Sequence, residues 1–208
     1  MPGLFITFEG TEGCGKSTHI KKLATRLEAE GQTVHNLREP GGTESGEPIR
    51  QLLKHGPDNL CAETELLLMN ASRAQLVREI IRPALSSGHI VLCDRFYDST
   101  TVYQGIGRGL DPKQVQSVID FAVGDTSPDL TLLLQIPLKT SEERRARRPD
   151  TDRFEKSDRA FFERVEQGYQ ELAAAHPERI HAIDADLSIE AVETEIWKIV
   201  SKTLNNRE

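Results

Sequence analysis

The residues of this chain best suited to chemistry stand together in Glu9-Gly10-Thr11-Glu12-Gly13-Cys14-Gly15-Lys16-Ser17-Thr18. Gly10, Gly15, Lys16 and Ser17 satisfy the spacing G-x-x-x-x-G-K-[ST], which binds phosphate for a physical reason. Such a loop curls until successive backbone N–H groups point at phosphate oxygens, and a helix starting at the lysine adds partial positive charge. Lys16 then reaches the terminal phosphates, and the Ser17 hydroxyl can ligate Mg²⁺. The plainer alternative is a turn between strand and helix with an incidental lysine. The flanks favour phosphate: Leu4-Phe5-Ile6-Thr7-Phe8 reads as a buried strand, and His19 to Glu30 carries Ile20, Leu23, Ala24 and Leu27 at helical spacing.

Other charged groups stand where phosphoryl transfer would need them. Asp94-Arg95 follows the apolar run His89-Ile90-Val91-Leu92-Cys93, at the tip of a predicted buried strand. An Asp there, near the loop serine, holds Mg²⁺ directly or through water. Arg95 can fork onto a phosphate where a lysine would act only as a point charge. An ordinary strand-end ion pair is the competing reading. Arg144, Arg145, Arg147, Arg148 and Arg153 surround Pro149-Asp150-Thr151-Asp152. Taken singly, arginines on an exposed helix are a solvated face. Around a polar break between two helices they suit a mobile lid, about 144–156, that closes over a transferring phosphoryl group. Such chemistry needs positioning and cations rather than a nucleophilic triad, and none is visible. Arg50 and Arg73 lie in amphipathic helical stretches, where a water-facing role is open to both. Gln104, beside Tyr103, can offer an imide edge of a base both a donor and an acceptor, or can simply be a polar surface residue.

The elements that must position these groups follow from the apolar pattern. Five short runs, ending near Phe8, His35, Cys93, Ile136 and Ile183, read as strands, and helical stretches lie between them: Glu44 to Lys54, Ala62 to Leu85, Asp111 to Val123, Pro137 to Arg148, Asp158 to Ala175 and Ile189 to Leu204. Leu130 to Ile136 shows no polar alternation, as expected of a strand covered on both faces. Alternation of strand and helix predicts a three-layer α/β/α domain with a parallel sheet, and 208 residues suit one domain. Ligands of such a sheet sit beyond the carboxyl ends of the strands. The Arg38-Glu39-Pro40-Gly41-Gly42-Thr43 turn borders that region.

A net charge of −7 and pI near 5.5 argue against a nucleic-acid-coating protein or an anionic membrane surface as partner. Cys14, Cys61 and Cys93 are odd in number and lack metal-like spacing, which fits a reducing cytoplasm. No leader and no apolar run of spanning length is visible.

Taken together, these residues resemble the thymidylate kinase family, which passes a phosphoryl group from ATP to dTMP. The matching pieces are Phe8-Glu9-Gly10 with the phosphate loop, Arg38 to Thr43, Arg73-Ala74-Gln75, Asp94-Arg95-Phe96, Tyr103-Gln104-Gly105, Gly107-Arg108-Gly109, Pro128-Asp129-Leu130 and Asp152-Arg153-Phe154-Glu155, in the family's order. The phosphate loop is generic; the Arg-Glu-Pro-Gly-Gly-Thr and Tyr-Gln-Gly segments are more specific. The resemblance implies a phosphate-loop kinase fold with a five-stranded parallel sheet, ATP phosphates on Gly10 to Thr18, and the dTMP phosphate on Arg95. It implies Arg73, Thr100 and Gln104 facing thymine, Arg38, Pro40 and Tyr103 lining the substrate site, Glu9 near the acceptor nucleotide and Arg50 near its phosphate. With no arginine among Thr11-Glu12-Gly13-Cys14, it implies the bacterial arrangement, with Arg153 as catalytic lid arginine and Arg148 assisting. Met69 stands where many relatives carry a phenylalanine that stacks on the base. A homodimer is also implied. Two rivals stay open: a kinase of the same architecture for another nucleotide or deoxynucleoside, and a nucleotide-dependent switch, for which the Asn-Lys-x-Asp guanine-reading motif is missing.

Overall fold

The computed structural model describes residues 3–146, 153–154 and 157–205. Five strands, β1 (Leu4–Glu9), β2 (Val34–Arg38), β3 (Ile90–Asp94), β4 (Leu130–Gln135) and β5 (Ile180–Asp184), form one parallel sheet in the order β2-β3-β1-β4-β5. The chain leaves β1 towards one edge of the sheet and leaves β3 towards the other. The crevice between these neighbouring strands is the topological switch point, where ligands of open α/β sheets bind. Phe8 pairs with Asp94, so the phosphate loop after β1 and Asp94-Arg95 at the tip of β3 emerge side by side.

The strands are apolar because both faces are covered. On one face Leu4, Ile6, Phe8, Leu92, Leu132 and Leu134 pack on α1 (Lys16–Ala29) and α9 (Ile189–Asn205) through Leu23, Leu27, Ile196 and Val200. On the other, Phe5, Val91 and Cys93 pack on α3 (Ala62–Leu76) and α6 (Pro112–Val123) through Leu66, Leu76, Val115 and Ile119. There too Leu133 and Ile180 meet Phe161, Phe162 and Val165 of α8 (Arg159–Ala175). Asp129 accepts a 2.8 Å hydrogen bond from Phe5 N and so ties β4 to β1.

α2 (Gly46–His55) follows the turn after β2. The helix expected from Ala62 to Leu85 is present but broken in its geometry: α3 passes through a wide π turn, Val77–Ile81, into α4 (Arg82–Ser86). Pro83 has no N–H to give the preceding turn and its ring crowds that turn's carbonyl, which the wider turn relieves. Ser99 to Gly109, assigned no element from sequence, forms α5 (Tyr97–Thr100) continuing into a π-helical stretch, Thr101–Gly107. Its Ser, Thr and Gly content hides it, and tertiary packing holds it. Gly107 has no room for a side chain, since a Cβ there would lie 2.6 Å from the Phe161 ring. α7 (Leu138–Ala146) and α8, capped by Asp158 on Phe161 N, fall where the apolar pattern put them. The Pro149 break, Arg147, Arg148, Asp152 and Glu155 lie outside the described residues. Among those described, no helix is long and apolar enough to cross a membrane.

Candidate active site

The phosphate loop rises from β1 and turns into α1 at Gly15 (φ 95°). Gly10, at φ 131°, allows no replacement, because a Cβ would run into the Leu134 carbonyl. Lys16 is folded back and buried, its Nζ donating to the carbonyls of Gly10 (3.0 Å) and Thr11 (3.1 Å) and lying 3.5 Å from Cys14 Sγ. Helix α7 holds the loop from behind: Ser141 Oγ donates to Glu12 O (2.7 Å) and Arg144 Nη1 to Gly13 O (3.0 Å). At least one arginine of the basic run therefore belongs to the loop's support.

Opposite the loop, Ser17 Oγ donates to Asp94 Oδ2 at 3.1 Å. A hydroxyl and a carboxylate oxygen this close, both bordering the main cavity, are the donor set Mg²⁺ takes when substrate phosphates and water complete its shell. Arg95, next in the chain, is a non-glycine residue at φ 71°, a costly conformation that local bonds enforce. Its backbone N–H donates to Phe8 O (2.9 Å). Its guanidinium donates to Ser99 Oγ (2.9 Å), Glu12 Oε1 (2.7 Å) and the hydroxyls of Tyr103 (3.2 Å) and Tyr169 (3.3 Å). Burial pushes the Glu12 carboxyl up, but Arg95, then Lys16 and the Tyr103 hydroxyl, outweigh it and hold the group below its ordinary range.

Beneath Arg95 lies Glu9. It accepts from Phe96 N (2.8 Å), Ser99 N (3.3 Å), the Tyr169 hydroxyl (2.8 Å) and Ser99 Oγ, so it caps the start of α5. Burial, then the nearby Asp98, raises its pKa against the pull of Arg95. Glu9 sits under the cavity floor and is not among the groups that line it.

The cavity measures about 530 Å³, the size of a small-molecule site. At the loop end it is bounded by Glu12, Gly13, Gly15, Lys16, Ser17 and Thr18, with Asp94 and Arg95 across from them. Further along come Arg38, Pro40 and Arg50, then Met69, Arg73, Thr100, Tyr103 and Gln104. Gly10, Thr11 and Cys14 of the same loop do not line this cavity: Gly10 and Thr11 face a second cavity, and Cys14 is buried. Arg38 Nη2 donates to Glu47 Oε1 and Arg50 Nη1 to Pro40 O, both at 2.8 Å. Arg73 is fully buried and completely engaged. Its Nε and Nη2 each lie 2.7 Å from Glu39 Oε2, Nη1 donates to Asn70 Oδ1 (2.9 Å) and Thr100 Oγ1 (3.0 Å), and Nη2 donates to Phe96 O (3.1 Å). Glu39 keeps one oxygen, Oε1, buried without a partner among the described residues. Its burial, only partly offset by Arg73, pushes its pKa up to about 7.

Arg153 lies apart from the phosphate loop in this conformation. It is buried, with Nη1 2.8 Å from Glu65 Oε1 and Nε donating to Leu53 O at 3.1 Å, while Nη2 has no partner among the described residues. Phe154, under its guanidinium, reaches the cavity wall. Arg148 lies outside the described residues. Sequence reasoning missed Glu65, Ser99 and Tyr169. Ser99 and Tyr169 sit 70 residues apart and meet only in the fold. Glu65 had a local signal, lying one helical turn before Met69 and two before Arg73, on the face that Arg73 presents to the cavity.

A protein-family model described as thymidylate kinase matches residues 8–196. The chain is 45% identical to the thymidylate kinase of Alcanivorax borkumensis, over 97% of this chain and 98% of that one. It is 47% identical to the thymidylate kinase of Exiguobacterium sibiricum over 100% and 99%. The crystal structure of thymidylate kinase from Ehrlichia chaffeensis superposes with a TM-score of 0.79 at 34% identity, covering 96% of this chain and 99% of that chain. A phosphate loop at the switch point of this strand order, an arginine-bearing wall opposite, and matches spanning nearly the whole length place the chain in the thymidylate kinase family.

Proposed function

We propose that this chain transfers the γ-phosphoryl group of ATP to the 5′-phosphate of dTMP, giving ADP and dTDP. The carrying observation is one cavity with a phosphate loop at one end, Arg95 opposite it, and Met69, Arg73, Thr100 and Gln104 at the other. The loop's N–H groups and Lys16 hold the ATP phosphates. Arg95, fixed by Glu12, Ser99 and two tyrosines, receives the acceptor phosphate, with Arg38 and Arg50 adding positive charge nearby. An ionised phosphate attacks without a strong general base, so these groups work by aligning two anions and offsetting their repulsion. Mg²⁺, held by Ser17 and Asp94, would supply further charge neutralisation between the phosphates.

The segment about 144–156 acts as lid. Arg153 carries a terminal nitrogen without a partner among the described residues, which favours it as the group that swings to the transferring phosphoryl on closure. The active form is a cytoplasmic homodimer. α3 and α6, packed on each other, each expose a large apolar side chain, Leu67 and Phe121, the latter 85% exposed, and a second copy of the chain would cover them. Turnover with dTMP, dUMP, dCMP, AMP and GMP as acceptors tests the proposal. Preference for dTMP is expected, and equal use of the others would remove the thymidylate assignment while leaving a kinase. ATP hydrolysis that ignores every acceptor would favour a switch instead.

A further inference from the structure

We propose that Glu65 sets the base selectivity of the site by fixing which way the Gln104 amide faces. This rests on the reading of Gln104 as the group that meets the acceptor base. Glu65 and Gln104 are each 1% exposed. The Glu65 carboxylate receives Arg153 Nη1 on Oε1 at 2.8 Å, with Arg108 Nη2 3.2 Å from the same oxygen. Its Oε2 receives Arg108 Nε at 3.4 Å and Gln104 Nε2 at 3.3 Å. Two guanidinium groups hold this carboxylate in place, and a carboxylate has only acceptors to offer.

The chemical consequence falls on Gln104. An amide presents a carbonyl oxygen on one side and NH₂ on the other, and rotation exchanges them at little cost when the surroundings accept both. Here the oxygen cannot face Glu65 without opposing another acceptor in a buried site, so Nε2 faces it. One N–H is thereby committed. The Gln104 carbonyl oxygen, which takes no hydrogen bond among the described residues, is left for the cavity together with the second N–H. That acceptor-donor pair matches the N3–H and O4 of an imide base such as thymine. It opposes cytosine, whose N3 accepts and whose exocyclic amine donates. Because Glu65 also grips Arg153, the base-reading amide and the proposed lid arginine share one anchor.

Replacing Glu65 by Gln keeps its size but supplies a donor as well as an acceptor, so the Gln104 amide can turn either way. Steady-state kcat/KM for dTMP and dCMP would be measured for the natural chain, Glu65→Gln and Glu65→Asp, with KM for ATP and thermal unfolding alongside. Expected for Glu65→Gln is a fall of ~10-fold or more in the dTMP-to-dCMP ratio, expressed in KM for the nucleotide acceptor, with KM for ATP little changed. Glu65→Asp, still acceptor-only, should keep the ratio within about threefold while raising KM. An unchanged ratio in Glu65→Gln, or an equal loss in both variants, overturns the inference. Should Glu65→Gln fail to fold, Glu65→Ala takes its place, because it likewise frees the Gln104 amide to turn: a fall in the ratio supports the idea and an unchanged ratio defeats it. A natural chain that does not use dTMP defeats the functional reading instead, before any variant is compared.

Discussion

Replacing Arg153 by Met separates two jobs that one guanidinium holds in this structure. As an anchor, Arg153 joins Glu65 on α3 and the Leu53 carbonyl at the end of α2, with its side chain only 6% exposed. Breaking a buried ion pair and stranding its partner costs about 3–5 kcal/mol. Glu65 is not stranded here, because Arg108 Nη2 remains 3.2 Å away. Together with the hydrogen bond to Leu53 O, the expected loss is therefore about 2–3 kcal/mol. For a chain of this length that lowers Tm by roughly 5–10 °C. As the proposed lid arginine, the same group should lower kcat by ~10²–10³-fold, the usual effect of removing one donor to developing charge. Urea unfolding and coupled steady-state turnover at 25 °C read the two effects separately, since a typical domain with ~5–15 kcal/mol of stability stays folded after such a loss. Normal kcat with reduced stability would refute the catalytic role. Reduced kcat with unchanged stability would refute the anchor.

Lys16→Ala should reduce kcat by ~10²-fold or more while costing only about 1–2 kcal/mol, because its three local contacts lie within a loop already braced by α7; equal turnover would exclude phosphate contact. Glu39 makes stability depend on pH. Its pKa is about 7 in the fold against an ordinary 4.5, so between those values the native state holds a proton that the unfolded chain has released. Stability from this group is present at pH 4.5 and lost as pH rises through 7, by at most about 3 kcal/mol, and Glu39→Gln should flatten that slope in denaturant unfolding followed across pH 5 to 8. Gly107→Ala should cost about 1–3 kcal/mol by thermal unfolding, since the Phe161 ring must move, and a neutral result would mean that this contact yields freely.

The phosphate loop was legible in the sequence because its chemistry is local: fixed spacing, an apolar strand before it and a helical pattern after it. The five strands, α1 to α4 and the helices from α6 onward were legible for the same reason, as periodicity is a property of neighbours. The helix bearing Tyr103 and Gln104 was not, because its residues are poor helix formers and its stability comes from α8, more than 50 residues on. The closeness of Asp94 to Ser17 depends on β3 being inserted beside β1, which strand order alone decides. Glu9 was expected near the acceptor, but its role as a buried cap for α5 depends on Tyr169, from another helix. Arg153 is the plainest case. Its sequence neighbours suggested a cation on a lid, and only the packing of α2 against α3 supplied Glu65 and the Leu53 carbonyl as its partners, since burying a guanidinium requires acceptors that no nearby stretch of chain provides.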